Sequence, residues 1–275
     1  MRVLLLLSAI LSSFVVGAIL LFLSYFSAPL LERDALTNIL LGEWNPDASY
    51  GLAPMIAGTL YISIPASLLA FVIALSSAMG MDSLAAGVLR RFLEAFFSIL
   101  TSIPTVVYAF LGVMLVVPMV RRVSDTSGYC ILSAVVVLSL LVSPTMILYM
   151  RESFRNTPKE LRTAVYALGG EEAAYQRRVL LPYNRAGMAV AYMMGLARAL
   201  GDTMVALMLA GNSSKMPSSP FDGARSLTSH IALLFAGDYD SVEFRSIFAS
   251  GVILFLSTLL ILGISALLKR GLSNG

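Results

Sequence analysis

RESFRNTPKELRTAVYALGGEEAAYQRRVLLPYNR, residues 151–185, is a charged island in an apolar chain. It holds Arg151, Arg155, Lys159, Arg162, Arg177, Arg178 and Arg185, interleaved with Glu152, Glu160, Glu171 and Glu172. Long apolar runs lie on both sides of it. A polar segment of this length that keeps a helical period is more than a connector; it is a surface offered to something outside the membrane. Asn156-Thr157-Pro158 supplies a turn and a helix start, with Glu160 in the first turn. Leu161, Ala164, Val165 and Leu168 then share one face, and Gly169-Gly170 ends the helix. A second short helix is expected from about residue 171, ending at Pro182. The pattern also fits an amphipathic hairpin resting on anionic lipid, so the insert alone leaves both readings open.

The flanking runs set the fold class. Of 275 residues, 58% are hydrophobic and 13% charged, and the mean hydropathy is +0.84. A soluble domain would carry about a quarter charged residues. The runs are continuous rather than alternating, which excludes a transmembrane barrel and leaves an all-α membrane protein. Six spans are expected, at about 3–26, 54–79, 92–119, 129–150, 187–211 and 245–268, in one transmembrane domain covering 1–275 with a polar loop at 151–186. Segments 27–53 and 212–244 are rich in Gly, Pro, Asn, Asp and Ser and read as outer loops with room for a short interfacial helix. The first apolar run is longer than a cleavable signal core, so it is read as a retained anchor despite the small pair Ser27-Ala28. A single cysteine, Cys130, and a single histidine, His230, argue against a disulfide framework or a histidine-built metal site.

Orientation follows from the cations. With both termini cytoplasmic, the inner segments hold twelve Lys and Arg residues and the outer segments six, with Arg198 inside a span. That is the positive-inside bias.

Inside the insert, LRTAVYALGGEEAAYQRRVLLP (161–182) resembles the cytoplasmic loop of ABC-importer permeases. That loop runs Glu-Ala-Ala, three residues, Gly, nine residues, an aliphatic residue, one residue, Leu-Pro. Gly169 fills the glycine, Val179 the aliphatic position and Leu181-Pro182 the end, whereas Thr163-Ala164-Val165 stands where the pattern has Glu-Ala-Ala. Four further stretches resemble the phosphate-specific branch, the PstC and PstA pair, and lie nearer PstC. They are EWNPDASYGLAPMIAGTLYIS (43–63), SIPTVVYAFLG (102–112), GLARALGDTMVALMLAGNS (195–213) and SLTSHIALLFAGDYDSVEFRSIFASGVILF (226–255). The resemblance implies a type I importer permease that carries inorganic phosphate with a second permease subunit. It also implies two cytoplasmic ATPase subunits, which bind the ATP and Mg, and an extracytoplasmic phosphate-binding protein. Thr163, Ala164, Gly169, Val179, Leu181 and Pro182 would then form the loop that couples to the ATPase. No cofactor or metal is expected in this chain, and its only other partner is membrane lipid, with no nucleic acid.

Arg198 and Asp202 fall in the fifth expected span, where an unpaired charge costs about 2.5–3.5 kcal/mol on insertion scales. Their i, i+4 spacing allows them to pair on one helix face, as a structural element only. Alternatively Arg198 is a cationic step for an oxyanion, since its planar fork donates two hydrogen bonds and keeps its charge. Asp202 in the same pathway would then hold the guanidinium in place and compete with substrate so that binding stays weak. The family's Arg-Ala-Ile/Leu-Gly-Glu motif matches both positions, with aspartate in place of glutamate. Ser102, Thr105 and Tyr108, around Pro104 in the third span, place hydroxyls at a helix break that could line a path. Ser143-Pro144-Thr145 reads the same way in the fourth. Glu94 beside Arg90 and Arg91 reads as an interfacial salt bridge.

No Gly-x-x-x-x-Gly-Lys-Ser/Thr stretch occurs, so uphill transport would draw on a partner or an ion gradient. The rival readings are a permease for another oxyanion (phosphonate, phosphite, molybdate or sulfate), an ion-coupled secondary transporter, and a membrane scaffold. A secondary transporter predicts an inverted repeat and more intramembrane carboxylates. A scaffold leaves Arg198 without a purpose.

Overall fold

The computed structural model describes every residue except 1, 34–35, 46–48, 84–86, 236, 238, 240 and 274–275. In lipid each backbone N–H and C=O must be satisfied within the segment, so the apolar runs fold as helices. In chain order, α1 (Arg2–Arg33) and the short α2 (Leu36–Leu41) precede a hairpin of β1 (Trp44–Asn45) and β2 (Ser49–Tyr50). Then come α3 (Ala53–Ser83), α4 (Gly87–Ser102), α5 (Thr105–Val123) and α6 (Ile131–Arg155). The charged insert holds α7 (Lys159–Ala167), α8 (Glu172–Tyr175), a π-helical turn (Gln176–Leu180) and α9 (Leu181–Tyr183). α10 (Arg185–Gly201), α11 (Met204–Leu209), α12 (Leu227–Leu234) and α13 (Val242–Ser273) complete the chain. Among the described residues, α1, α3, α5, α6 and α13 contain the five stretches long and apolar enough to cross a bilayer.

α6 is the most buried of these and forms the centre of the bundle. Its principal neighbour is α3, which turns a stripe of Ala66, Ala70, Ala74 and Ala78 toward it, all fully buried. Small side chains at every fourth position let two backbones approach closely where no hydrophobic effect drives them together. α10 lies against α6 and α3 on one side and α13 on the other, and α1 packs on α13 through Phe22, Phe26 and Phe248. At the end of the bundle where α3 begins, Leu30, Ile39, Tyr50, Leu52, Met55 and Leu227 form a second cluster, with Trp44 packed on it. α2 and α12 are short helices within segments 27–53 and 212–244.

Two expected spans are not single helices. The run 92–119 divides at Ile103-Pro104 into α4 and α5. Proline lacks an N–H and pushes the preceding residue out of the helical region. The Tyr108 hydroxyl donates to the Leu100 carbonyl at 3.0 Å, adding a second donor to an acceptor in the last turn of α4 that also takes the Ile103 N–H at 3.4 Å. α4 has 16 residues, about 24 Å of rise, short of a full crossing. The run 187–211 divides at Asp202-Thr203, where Asp202 is extended (φ −74°, ψ 126°) after Gly201. Pro182 does not end the second helix of the insert. The π-helical turn ahead of it carries a bond from the Leu181 N–H to the Gln176 carbonyl, and helix resumes through the proline. The wider turn accommodates a ring that would otherwise collide with a carbonyl one turn back.

Candidate translocation pathway and coupling site

Arg198 is half-buried in the last turn of α10, and its guanidinium donates to the Thr145 hydroxyl on α6. Thr145 follows Pro144 inside α6, so the two residues meet where one helix carries a proline and the other is about to end. Tyr108 of α5, half-buried, lies within electrostatic range of Arg198. Asp202 lies within range as well but makes no ion pair with it. Among the described residues the ion pairs join Arg90 and Arg151 to Glu94, and Arg162 to Asp82 and Glu172. The pairing that an uninterrupted helix would allow is therefore replaced. The Asp202 carboxylate turns forward and accepts the Val205 N–H at 2.8 Å, capping α11, while its backbone carbonyl accepts the Thr228 hydroxyl at 2.9 Å.

Of the third-span hydroxyls, Ser102 is exposed at the end of α4 and donates back to Ser98, and Thr105 is half-buried at the start of α5. The structure thus brings Arg198, Tyr108 and Thr145 together and leaves Ser102 apart. Gly195, one turn before Arg198, sits where a Cβ would run into the Met146 side chain, so its role is close approach of α10 to α6. Gly201 has open space around it.

The insert divides its motif residues between two faces. Thr163, Ala164, Gly169 and Pro182 are exposed, whereas Val165, Val179 and Leu181 pack on the main core. Gly169 has φ +77°, a left-handed conformation natural to glycine at a helix end, and Leu168 before it is 89% exposed. Arg162 holds the loop to the body. Its Nη2 and Nε reach the two Glu172 carboxylate oxygens at 2.6 and 3.2 Å, and Nη1 lies 3.8 Å from Asp82 at the end of α3. The guanidinium also stands over the Tyr175 ring at 5.2 Å. Burial alone would loosen its proton; the hydrogen bonds with Tyr166 and Glu172 and the charges of Glu172 and Asp82 outweigh that and hold it more tightly than in free arginine. Gln176 Nε2 adds a bond to the Met79 carbonyl at 3.1 Å. At the other end of the loop, Asn184 accepts from Ser153 and donates to Thr157, both at 2.8 Å. This leaves the exposed rim of α7 fixed to α3 and α6 by polar contacts on its inner side.

Residues 70–274 match the family of binding-protein-dependent transport system inner membrane components. The chain belongs to that family. The permease is 34% identical over 84% of its length to a probable ABC transporter permease protein of Bacillus subtilis, YqgH, and spans 75% of that protein. It is 31% identical to the phosphate transport system permease protein PstC of Pasteurella multocida, over 82% of this chain and 77% of that one. A similar protein of Haemophilus influenzae, also a PstC, is 28% identical over 97% of the permease. Among solved structures, the inward-facing MetNI methionine ABC transporter superposes with a TM-score of 0.65, covering 80% of the permease and 95% of that chain at 21% identity. The fold is that of a type I ABC-importer permease. The permease is thus an ABC-importer membrane subunit whose family is a transport component rather than an ATPase.

Thr145, Arg162 and Asp82 carry the contacts that the sequence did not assign to a site. The first was legible only as part of Ser143-Pro144-Thr145; the other two belong to residues 80 positions apart, with no shared local pattern.

Proposed function

We propose that this permease forms half of the pathway of an ATP-driven importer for inorganic phosphate. The observation that carries the reading is Arg198: a half-buried cation among helices whose direct partner is a neutral hydroxyl, so its charge stays available to an anion. A guanidinium with no carboxylate bonded to it is costly in this setting, and its fork suits a phosphoryl oxygen pair. Tyr108 and Thr105 would contribute hydroxyls along the same path, with Ser102 at its edge. Asp202 would shape the break beside it. The likeness to PstC proteins supports phosphate as the anion.

In this reading α10 and α11 together complete a sixth passage across the bilayer, and both termini face the cytoplasm. A second permease subunit forms the other half, a soluble phosphate-binding protein delivers the anion outside, and two ATPase subunits receive the 157–182 loops. Thr163, Ala164, Gly169 and Pro182 form the docking side of that loop, while Val179 and Leu181 anchor it. ATP and Mg belong to the partner. Closure of the ATPases on nucleotide would move α7, and Arg162 would pass that motion to α3 as a rigid-body shift.

The test is radiolabelled phosphate uptake by vesicles carrying this chain with its partner permease, ATPase and binding protein, with sulfate and molybdate as competitors. ATP-dependent uptake that needs this chain and resists both competitors is the expected result. ATP-dependent uptake of another oxyanion in place of phosphate would keep the importer and refute the substrate.

A further inference from the structure

Beside the first turn of α7 lies a cavity of about 410 Å³ between the last turns of α3 and α6 and the first turn of α4, with the lining side chains of Arg155 and Lys159 exposed. Arg90, Arg155, Lys159 and Arg162 line it, with Asp82 and Thr157. Four cations face one carboxylate. Their engagement is uneven. Arg162 is occupied by Glu172 and Asp82, and Arg90 by Glu94 at 3.1 Å. Arg155 and Lys159 lie within 4 Å of no carboxylate among the described residues. Thr157 is buried and its oxygen accepts from Asn184, so its own proton remains to be donated. The N-terminus of α7, which opens beside Lys159, has no side-chain cap, so its free N–H groups add positive potential.

We propose that this cavity binds a phosphoryl anion, supplied by free inorganic phosphate or by an anionic lipid headgroup. Two free cations, a hydroxyl donor and an uncapped helix start match the oxygens of such a group. Asp82 does not cancel them, because Arg162 stands beside it. The cavity sits where α3 and α6 leave the apolar region, the depth at which basic pockets between helices meet headgroups. Its walls come from both sides of the α6–α7 corner, so an occupant would tie the coupling loop to α4 and steady it against the body. The site is separate from the Arg198 constellation and does not depend on which anion crosses the membrane.

The full-length chain, purified without the ATPase so that no nucleotide site competes, would be placed in phosphatidylcholine nanodiscs and titrated with labelled inorganic phosphate. A parallel arm would mix phosphatidylglycerol with phosphatidylcholine and measure the retained phosphatidylglycerol by native mass spectrometry. Arg155→Gln with Lys159→Gln is expected to weaken binding about tenfold or more in one arm. Loss in the phosphate arm identifies the free anion, and loss in the lipid arm the headgroup. Arg155→Lys with Lys159→Arg keeps the charge and should keep binding. Arg198→Ala should leave the component of binding that depends on Arg155 and Lys159 unchanged, whatever it removes at the pathway, which separates this site from the transport pathway. If the double glutamine variant does not stay monodisperse, the single Arg155→Gln variant is read in the same two arms. Binding in neither arm, or binding indifferent to these substitutions, would overturn the proposal.

Discussion

Arg198 on α10 donates to Thr145 on α6, while Asp202, four residues further on, makes no ion pair with it and caps α11. A cation and a carboxylate placed as if to neutralise one another thus do separate work, and the guanidinium is oriented by a neutral group from another helix. Arg198→Ala should abolish uptake with the subunit still assembled. Thr145→Val should reduce uptake by roughly ten- to a hundredfold, the loss expected for one hydrogen bond to a charged group, and Thr145→Ser should restore it. Transport assays on the three variants, with assembly followed by size-exclusion chromatography, read this directly. Normal uptake by Arg198→Ala would remove its pathway role.

The Asp202 cap gives a prediction about stability. Asn can accept the same N–H and Ala cannot, so Asp202→Ala should cost about 1 kcal/mol and Asp202→Asn far less. Cys130 is the single cysteine and is fully buried, so a thiol-reactive dye reports unfolding without further labelling. Equal melting temperatures for the two variants would show that the carboxylate's charge, rather than its cap, is what matters.

The sequence made some of this legible and hid the rest for physical reasons. Long apolar runs announce helices because lipid leaves the backbone no alternative, and Gly169 announces a helix end because the left-handed turn there suits glycine. The break at Pro104 was visible as a proline, yet the apolar run continued across it, so hydropathy joined what sterics separates. The break at Asp202 was obscured by a misleading regularity: Arg198 and Asp202 are spaced as a helical ion pair, and only the hydrogen bonds to Val205 and Thr228 reveal an extended residue. Thr145 was legible as a hydroxyl at a proline break but its pairing with Arg198 was not, and Asp82 carried no local signal, since their partners lie 53 and 80 positions away.

The Arg162 clamp predicts a coupling defect. The Glu172 pair is partly exposed, 29% on each side, so its loss should cost about 1 kcal/mol or less in stability. Its mechanical role is larger, because it joins α7 to α8 and to the end of α3. Arg162→Ala should therefore raise the ATP hydrolysed per anion moved while leaving melting nearly unchanged. Lysine cannot reproduce a two-oxygen grip or a flat contact with Tyr175, so Arg162→Lys should rescue only partly. An unchanged coupling ratio in Arg162→Ala would place the transmission elsewhere.

At Gly169 the cost of a side chain is conformational, since an added Cβ meets nothing within 4 Å. Holding an alanine or valine at φ +77° costs roughly 1–2 kcal/mol. Asparagine tolerates that region better. Coupling should therefore fall in the order Gly, Asn, Ala, Val, measured as ATPase stimulation by loaded binding protein. A bulky variant that couples normally would count against a docking role for this turn.

The end of the bundle that holds α12 supplies a pH prediction. His230 is fully buried, with Nε2 2.9 Å from the Ser246 hydroxyl and its ring 4.6 Å from Trp44. Ser246 gives its single proton to the Glu243 carbonyl, so Nε2 is the donor and Nδ1 stays bare and unpartnered. Burial, assisted by the charge of Arg225, lowers the imidazole's pKa from 6.5 to about 3. The unfolded chain therefore takes up a proton between these values that the folded chain refuses. The stability associated with neutral His230 is complete above pH 6.5 and is lost as pH falls toward 3, at up to about 1.4 kcal/mol per unit. Trp44 is the sole tryptophan, so its emission is an internal reporter. That emission should stay flat from pH 8 to pH 5 in the folded protein, and His230→Leu should flatten the acid arm of the stability curve. Quenching with a midpoint near 6.5 would mean that the histidine is open to water and that the Trp44 packing described above does not seal it.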